Sequence, residues 1–287
     1  MSSSTRGIMS DVEWRSPGGR VIVAIFLVIL IVVSVAFIFP FVFAFTAGLK
    51  TSSTITSPGL NLFPKIPQWN NYLEAWKRFN MLGMFRNTIY VAGGVMLGRL
   101  LVSSMAAYSL ARLKPAAKRF IQIFILVTMT IPMMAYLIPL YMVLTNLPII
   151  HVSLVNSFWG LILPYSGSAF YILVLKNSFE QIPGDIYDAA AVDGASPLRM
   201  FTAITIPLAT PILIVLGLLT FVSSWGDFLL PYLVLRTPAL QTVSVRLYTL
   251  DRVFPLNLKM AGSFIALLPP LIAVLLFQRY MKAGLTF

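Results

Sequence analysis

The chain has 287 residues, of which 58% are hydrophobic and 10% are charged, whereas a soluble domain is about half apolar and about a quarter charged. So few charged residues could not cover a water-soluble surface, so we expect an integral membrane protein. The formal net charge of +12 would suggest nucleic-acid binding in a soluble protein, but here the basic residues lie beside apolar runs, where they orient spanning helices. One histidine and no cysteine argue against a metal centre and thiolate chemistry.

We predict an all-α, polytopic protein, because six apolar runs are each long enough to cross a bilayer, which takes about 20 residues. The predicted spans cover approximately residues 21–47, 88–111, 120–146, 155–175, 203–233 and 260–278. Residues 1–20 are expected to form a cytoplasmic segment, and residues 21–287 a single transmembrane domain. The first apolar run is too long for a cleavable signal peptide, so we expect it to remain as a helix.

The short links between spans predict the orientation of the chain. The link between spans two and three carries four basic residues, Arg112, Lys114, Lys118 and Arg119, whereas the link between spans three and four carries no lysine or arginine. By the positive-inside rule the first link is cytoplasmic and the second is external. With six spans, both termini are then cytoplasmic.

Two longer loops follow from this topology. Residues 48–86 form an external loop, in which residues 70–79 could fold as a short amphipathic helix. Residues 177–202 form a cytoplasmic loop between spans four and five. The external loops also carry basic residues, but long loops cross a membrane largely regardless of their charge.

The cytoplasmic loop is predicted to fold as two short helices joined by a corner. Pro183 suits the start of the first helix. Gly194 can take the positive φ that a corner requires, and Ser196 can cap a second helix that has Pro197 at its first position. A corner of this kind would make the loop a rigid lever.

Part of this loop resembles the EAA loop of bacterial binding-protein-dependent ABC importers. That family's pattern is Glu-Ala-Ala, three residues, Gly, nine residues and Ile-x-Leu-Pro. This chain has the same spacing, with a triplet that begins at Asp188, then Gly194, then a run that ends at Pro207. Asp188 replaces the glutamate and Ile206 the leucine, and both keep the chemical character. The resemblance assigns ATPase coupling to Asp188, Ala189, Ala190, Asp193, Gly194, Ala195, Phe201, Ile204 and Pro207.

Other segments, residues 106–112, 221–228 and 277–280, resemble the second permease subunit of maltose-type importers. The resemblance implies a permease of the bacterial inner membrane that forms, with a sister permease, a pathway for a carbohydrate delivered by an external solute-binding protein. It also implies a coupling helix seated on a cytoplasmic ATPase dimer, which binds ATP and Mg. The chain has no phosphate-binding loop, so we expect it to be no enzyme and to hold no cofactor.

Five residues are candidates for the substrate pathway: Arg99, Tyr136, Tyr141, Trp225 and Asp227. Arg99 lies midway along span two, where a charge marks a function or an interior partner. It could meet a polar or anionic substrate, or form a structural ion pair for which Asp227 is one possible partner. Asp227 could accept sugar hydroxyl protons while Trp225 stacks on a ring, or the two could anchor and support a gate. Tyr136 and Tyr141 could line the cavity or pack against the sister subunit.

Two other protein classes stay open. A self-contained secondary carrier or channel would usually show inverted repeats and several ionisable residues deep in its spans, and only Arg99 fits that description. An intramembrane enzyme would need paired catalytic residues, and no such pair stands out. Arg99 and the basic outer loops would allow an acidic oligosaccharide as cargo, although the outer charges could equally dock an acidic binding protein.

Overall fold

Helices are the regular elements of the computed structural model, which describes residues 17–59, 61–250 and 253–284. No strand occurs in these ranges, so the predicted all-α class is confirmed. The helices in chain order are α1 (Pro17–Gly48), α2 (Ser52–Thr56), α3 (Asn70–Arg78), α4 (Met81–Tyr108), α5 (Lys118–Thr128), α6 (Met133–Thr145), α7 (Trp159–Ser166), α8 (Ala169–Glu180), α9 (Gly184–Val192), α10 (Pro197–Met200), α11 (Ile206–Leu208), α12 (Thr210–Gly226), α13 (Leu229–Val234), α14 (Val243–Thr249) and α15 (Leu256–Gly284). Most of the predicted N-terminal segment, residues 1–16, lies outside the described residues.

Three helical stretches are by themselves long and apolar enough to cross a membrane: Pro17–Gly48, Met81–Leu113 and Leu256–Gln278. The second of these includes a π-helical turn, Ser109–Leu113, that continues α4. Three further crossings arise only if each of three bent helix pairs counts as one span. By length and composition, the described residues therefore hold up to six crossings.

The predicted third and fourth spans are broken rather than continuous. Helices α5 and α6 meet at 100°, and α7 and α8 meet at 47°. Pro132, which has no N–H to donate, precedes α6 with extended backbone angles (φ −67°, ψ 141°), and Ser168 is extended between α7 and α8. The prediction rested on the length of apolar runs, which carries no information on backbone geometry. Each bent pair was therefore predicted as one continuous helix.

The predicted fifth span is interrupted at both ends of α12. The segment Pro197–Leu208 meets α12 at 77°, and Pro211 then occupies the first turn of α12, where a missing N–H costs no helical hydrogen bond. At the other end the backbone of Asp227 is extended (φ −64°, ψ 132°). Asp227 therefore lies in a break between α12 and α13.

The ends of the other predicted elements shift by a few residues. Helix α3 confirms the short helix predicted within the external loop. Helix α4 begins at Met81, directly after the left-handed residue Asn80 (φ 56°), so the last part of the predicted loop 48–86 is helical. Met81 and Met84 are buried, so the first turn of this helix is packed within the fold.

The described part of the chain separates into two compact units, which fall within residues 1–72 with 255–264 and within residues 73–254 with 265–287. In the smaller unit the Asn71 side chain donates to the carbonyl oxygens of Gly48 and Lys50, each at 2.9 Å.

The Tyr72 hydroxyl in the same unit donates to the Phe45 carbonyl at 2.7 Å. Burial raises the pKa of Tyr72 to about 12, so this hydroxyl keeps its proton and the hydrogen bond.

Helix α4 is the central element of the larger unit, where it packs against α7, α8 and α12. Two buried clusters lie along it. One surrounds Val95 and contains residues of α7 and α13. The other lies near the far end of α4 and contains Tyr108, Phe179, Tyr187 and Phe201. These clusters position the two candidate sites of the molecule.

Candidate functional sites

The loop between α8 and α12 contains the predicted pair of short helices, α9 and α10, and we call it the two-helix loop. Gly194 lies between them with φ +77°. The Ser196 hydroxyl accepts a hydrogen bond from the Arg199 amide at 3.3 Å, and Pro197 occupies the first position of α10. The predicted corner and cap are both present.

The corner closes through two main-chain hydrogen bonds. The amide of Ala195 donates to the carbonyl of Ala190 at 2.9 Å, and the amide of Gly194 donates to Ala191 at 3.0 Å. This pattern is a Schellman motif, in which the residue after the helix cap must be left-handed, and glycine meets that need without strain. The spacing from Ala190 to Gly194 is thus set by the way α9 ends.

The coupling residues indicated by the resemblance fall on both arms of this loop. Asp188 and Ala189 are exposed on α9. Asp193 and Ala195 flank the corner. Phe201 and Ile204 lie in a second π-helical turn, Phe201–Thr205, and Pro207 lies in α11. One face of the first arm is therefore exposed, whereas the second arm continues into α12.

Buried aromatic residues attach the two-helix loop to the end of α4. The Tyr187 hydroxyl hydrogen-bonds with Thr205 Oγ1 at 2.8 Å. The Tyr108 hydroxyl donates to the Pro197 carbonyl at 3.1 Å, and the Tyr108 ring lies 5.1 Å from that of Phe201. Both arms thus have contacts on their inner side.

Arg112 adds a cationic contact to this attachment. Its guanidinium group donates to the carbonyl oxygens of Phe179 and Ile182, and it lies 4.2 Å from the centre of the Tyr187 ring. These carbonyls belong to the last turn of α8 and the residues after it, where helical acceptors lack partners. One side chain thereby joins the ends of α4 and α8 to α9.

The second candidate site is a cavity of about 550 Å³ in the larger unit. It is lined by Arg99, Met134, Tyr165, Ser223, Ser224, Gly226, Asp227, Phe228 and Leu229. The break between α12 and α13 opens this space, and α4, α6 and α7 supply the other walls. Two of the five predicted pathway residues, Arg99 and Asp227, line it.

The two charged residues of the cavity are held differently. Arg99 donates from Nε to the Tyr165 carbonyl at 2.9 Å, and its guanidinium lies 5.9 Å and 5.3 Å from the ring centres of Tyr165 and Tyr171. Asp227 Oδ2 is buried without a hydrogen-bond partner in the described part of the chain. No ion pair within 4.0 Å joins Arg99 to Asp227, so the direct pairing that the sequence left open is not formed.

The other three pathway candidates lie apart from the cavity lining. Trp225 is buried, and its indole N–H donates to the Ala266 carbonyl at 3.0 Å. Tyr136 is exposed on α6. Tyr141 accepts a hydrogen bond from Arg236, which also lies over its ring.

Comparison with known proteins identifies the family. Residues 99–286 match the family of binding-protein-dependent transport system inner membrane components. The chain belongs to this family. The resemblance drawn from the two-helix loop is therefore confirmed, and the chain is a transport permease rather than an enzyme.

Individual relatives agree with that assignment. The permease is 32% identical to the sulfoquinovosyl glycerol transport system permease protein SmoH of Agrobacterium fabrum, over 83% of each chain. It is 30% identical to the arabinooligosaccharides transport system permease protein AraQ of Bacillus subtilis, over 83% of this chain and 85% of the relative.

Its fold is similar to a chain in the crystal structure of a bacterial ABC transporter involved in import of the acidic polysaccharide alginate. The TM-score is 0.78 at 20% identity, over 93% of this chain and 98% of that chain.

Sequence reasoning missed the residues that attach the two-helix loop of the permease. Arg112 was counted only as an orienting charge, and Tyr108 and Tyr187 were not singled out. The available signal was the spacing of Tyr108 and Arg112, four residues apart at a helix end, which places both side chains on one face. Tyr165 was also missed, because a tyrosine inside an apolar run carries no distinctive pattern.

Proposed function

We propose that the chain is one transmembrane subunit of an ATP-driven importer and forms, with a sister permease, the pathway for a carbohydrate. The observation that carries this proposal is the two-helix loop, whose Schellman corner at Gly194 and exposed first arm follow the spacing of the family. A separate ATPase dimer binds ATP and Mg, because this chain has no phosphate-binding loop.

The membrane topology proposed for this subunit has six spans. Each of the three bent helix pairs then counts as one crossing, and the breaks lie within the protein, where non-helical backbone is tolerated. Residues 1–20 and the two-helix loop lie on the cytoplasmic side of the bacterial inner membrane, as the basic link after α4 favours. Residues 21–287 act as one transmembrane domain.

The exposed arm of the two-helix loop is proposed to be the ATPase contact. Asp188 and Ala189 face outward on α9, and Val192 is 89% exposed. Phe201, Ile204 and the segment ending at Pro207 lie on the second arm and connect this surface to α12. Closure of the ATPase dimer would displace α9, and a solute-binding protein docked outside would release cargo into the open pathway.

The cavity between α4, α6, α7 and α12 is proposed as part of that pathway. Arg99 can donate to sugar oxygens and Asp227 can accept from sugar hydroxyls, so together they suit a carbohydrate. Their opposite charges offset one another, and this balance favours hydroxyl groups over a strongly charged cargo. Trp225 supports the wall, and Tyr136 and Tyr141 lie along the α6 side.

Two relatives are named for different cargoes, and these cargoes define the substrates to be compared. One is named for sulfoquinovosyl glycerol, which is anionic, and another for arabinooligosaccharides, which are neutral. The complex should be reconstituted in liposomes with its sister permease, ATPase and binding protein. We expect ATP-dependent uptake of a neutral oligosaccharide, and stimulation of hydrolysis only by an acidic sugar would overturn the neutral assignment.

The same preparation tests the class of transporter. Uptake into the liposomes should require the ATPase subunit. It should also require ATP inside the liposomes, on the side where the ATPase is bound. Uptake by this chain without any ATPase, driven by an ion gradient, would instead establish the secondary carrier and reject the importer.

A further inference from the structure

We propose that Arg112, with Tyr108 and Tyr187, fixes the two-helix loop rigidly to the end of α4, so that a displacement of α9 passes directly into that span. We call this set of contacts the joint. The inference rests on the proposed function, since it concerns how the ATPase contact reaches the pathway. It assigns Arg112 as a positioning residue for transport.

The first half of the joint is the Arg112 guanidinium. Its two acceptors, the carbonyls of Phe179 and Ile182, lie where α8 ends, and a cation is favourable at a helix C-terminus. The guanidinium also lies 4.2 Å from the ring centre of Tyr187, within the range of a cation–π interaction. Both hydrogen bonds come from one nitrogen, Nη2, so what distinguishes arginine from lysine here is the planar group, which can stack on the Tyr187 ring while it donates.

The second half of the joint is a pair of hydroxyl contacts. Tyr187 bonds to Thr205 Oγ1 across the loop, and both residues are buried. Tyr108 donates to Pro197 on the second arm. Because these polar contacts lie in an apolar cluster, breaking one without a replacement leaves a buried group unsatisfied, which is costly.

The outer and inner faces of the loop therefore have different properties. The outer face of α9 is exposed, as Val192 shows, whereas Tyr187 and Phe201 are buried against α4. The Schellman hydrogen bonds close the corner, so a displacement of the outer face does not bend the loop at Gly194. The displacement passes through the inner face into α4.

Helix α4 also connects the joint to the cavity. Arg99 and Arg112 are thirteen residues apart on the same continuous helical stretch, which corresponds to about 20 Å at the rise of an α-helix. The joint includes residues of two π-helical turns: Arg112 lies in Ser109–Leu113, and Thr205 lies in Phe201–Thr205. Such turns occur frequently at functional sites. A single helix can thus carry loop movement to the cavity wall.

The first test measures coupling in the reconstituted full complex. Arg112→Lys keeps the charge but loses the planar group, and we expect the cargo imported per ATP hydrolysed to fall by about two- to thirtyfold. Tyr187→Phe keeps the ring beneath the guanidinium and removes only the hydroxyl, so it should lower the same ratio less.

Arg119→Lys is the matched control, since Arg119 is exposed on α5 near the same end of the molecule. It should leave the transport ratio at the wild-type value. The proposal fails if Arg112→Lys and Tyr187→Phe both assemble with the ATPase and import the wild-type amount of cargo per ATP.

The second test measures the rigidity of the joint directly. The chain contains no cysteine, so spin labels can be attached through Ile186→Cys on α9 and Leu113→Cys, which are 41% and 53% exposed positions and lie outside the proposed ATPase contact. In the labelled full complex, the distance between the labels should be the same in the nucleotide-free and ATP-trapped states. Arg112→Lys should broaden the distance distribution.

A shift of that distance between the two states in otherwise wild-type protein would overturn the joint, because the loop would then move relative to α4. Failure of the proposed function has a different signature, namely no ATP-driven uptake by the wild-type complex. The two failures are therefore distinguishable in one preparation.

Discussion

Arg99 and Arg112 lie on the same helical stretch and carry the same side chain, yet their surroundings differ. Arg112 donates to two carbonyls and lies against Tyr187. Within the described residues Arg99 makes one hydrogen bond, from Nε to the Tyr165 carbonyl, and its guanidinium lies farther from its neighbouring rings, at 5.3 Å and 5.9 Å, on the border of a cavity. In the proposed function, one arginine is therefore a fixed attachment and the other a group available to a ligand, and their different acceptors account for the difference.

The two regions should accordingly respond to different measurements. Changes at the loop end should alter the efficiency with which ATP hydrolysis drives uptake. Changes at the cavity should alter the cargo concentration at which uptake is half-maximal, with little effect on that efficiency.

The largest effect is expected at the corner of the two-helix loop. Gly194 has φ +77°, and a side chain built there would meet no atom within 4 Å, so the cost of Gly194→Val is backbone strain and not a clash. Such strain is of order 1–3 kcal/mol, or roughly 5- to 150-fold in an equilibrium. We expect ATP-driven uptake to fall by a factor in that range, measured in proteoliposomes.

Gly194→Asn is the matched control for this change, because asparagine tolerates the left-handed conformation. It should retain most of the uptake although it adds a longer side chain. Equal activity of the valine and asparagine variants would show that the Schellman corner is not needed for transport.

The next effect is expected at Arg99. Arg99→Gln keeps a polar side chain but removes the charge and most of the donors, and a hydrogen bond to a charged group contributes about 1.5 kcal/mol or more. We expect the cargo concentration for half-maximal uptake to rise about tenfold, while cargo imported per ATP stays near wild type. A loss of coupling equal to that of Arg112→Lys would instead place Arg99 in the transmission path.

A smaller effect is expected at Asp227, and it decides between two roles of the charged pair. Asp227→Asn should raise the half-maximal cargo concentration by about two- to tenfold, corresponding to a hydrogen bond of 0.5–1.5 kcal/mol. If both side chains contact cargo independently, the effects of Arg99→Gln and Asp227→Asn should add. If they mainly balance each other, the double variant should be less impaired than the sum, as a double-mutant cycle would reveal.

The sequence was sufficient to predict features that depend on local chemistry. The cap at Ser196, the corner at Gly194 and the helix at residues 70–79 follow from side-chain properties within a few residues, and all three are present. The all-α class followed from six apolar runs, each long enough to cross a bilayer. These features need no information about distant contacts.

The features that the sequence did not show depend on contacts between distant elements. Apolar length could not reveal the breaks at Pro132 and Ser168, because proline is also tolerated inside spanning helices, as Pro139 is within α6. Burial of Trp225 against Ala266 joins residues 41 positions apart, and Arg112 reaches acceptors 67 and 70 positions away. Only the folded chain brings these groups together.

The smallest effect is expected at Glu180, which tests whether charge alone holds the loop end together. Its carboxylate pairs with Lys176 at 2.7 Å and with Lys118 at 3.0 Å, and its side chain is 37% exposed. Pairs this accessible contribute about 0–1 kcal/mol, so Glu180→Gln should lower the thermal stability of the purified complex slightly, and less in high salt.

Cargo imported per ATP should be unchanged in Glu180→Gln, because Arg112 is held by main-chain carbonyls that this change leaves in place. A drop in that ratio as large as the one caused by Arg112→Lys would mean that the local electrostatic balance fixes the loop, and not the geometry of one guanidinium group. Measuring both variants at low and high salt separates the two explanations, since the carbonyl contacts of a partly buried arginine are screened much less than an exposed ion pair.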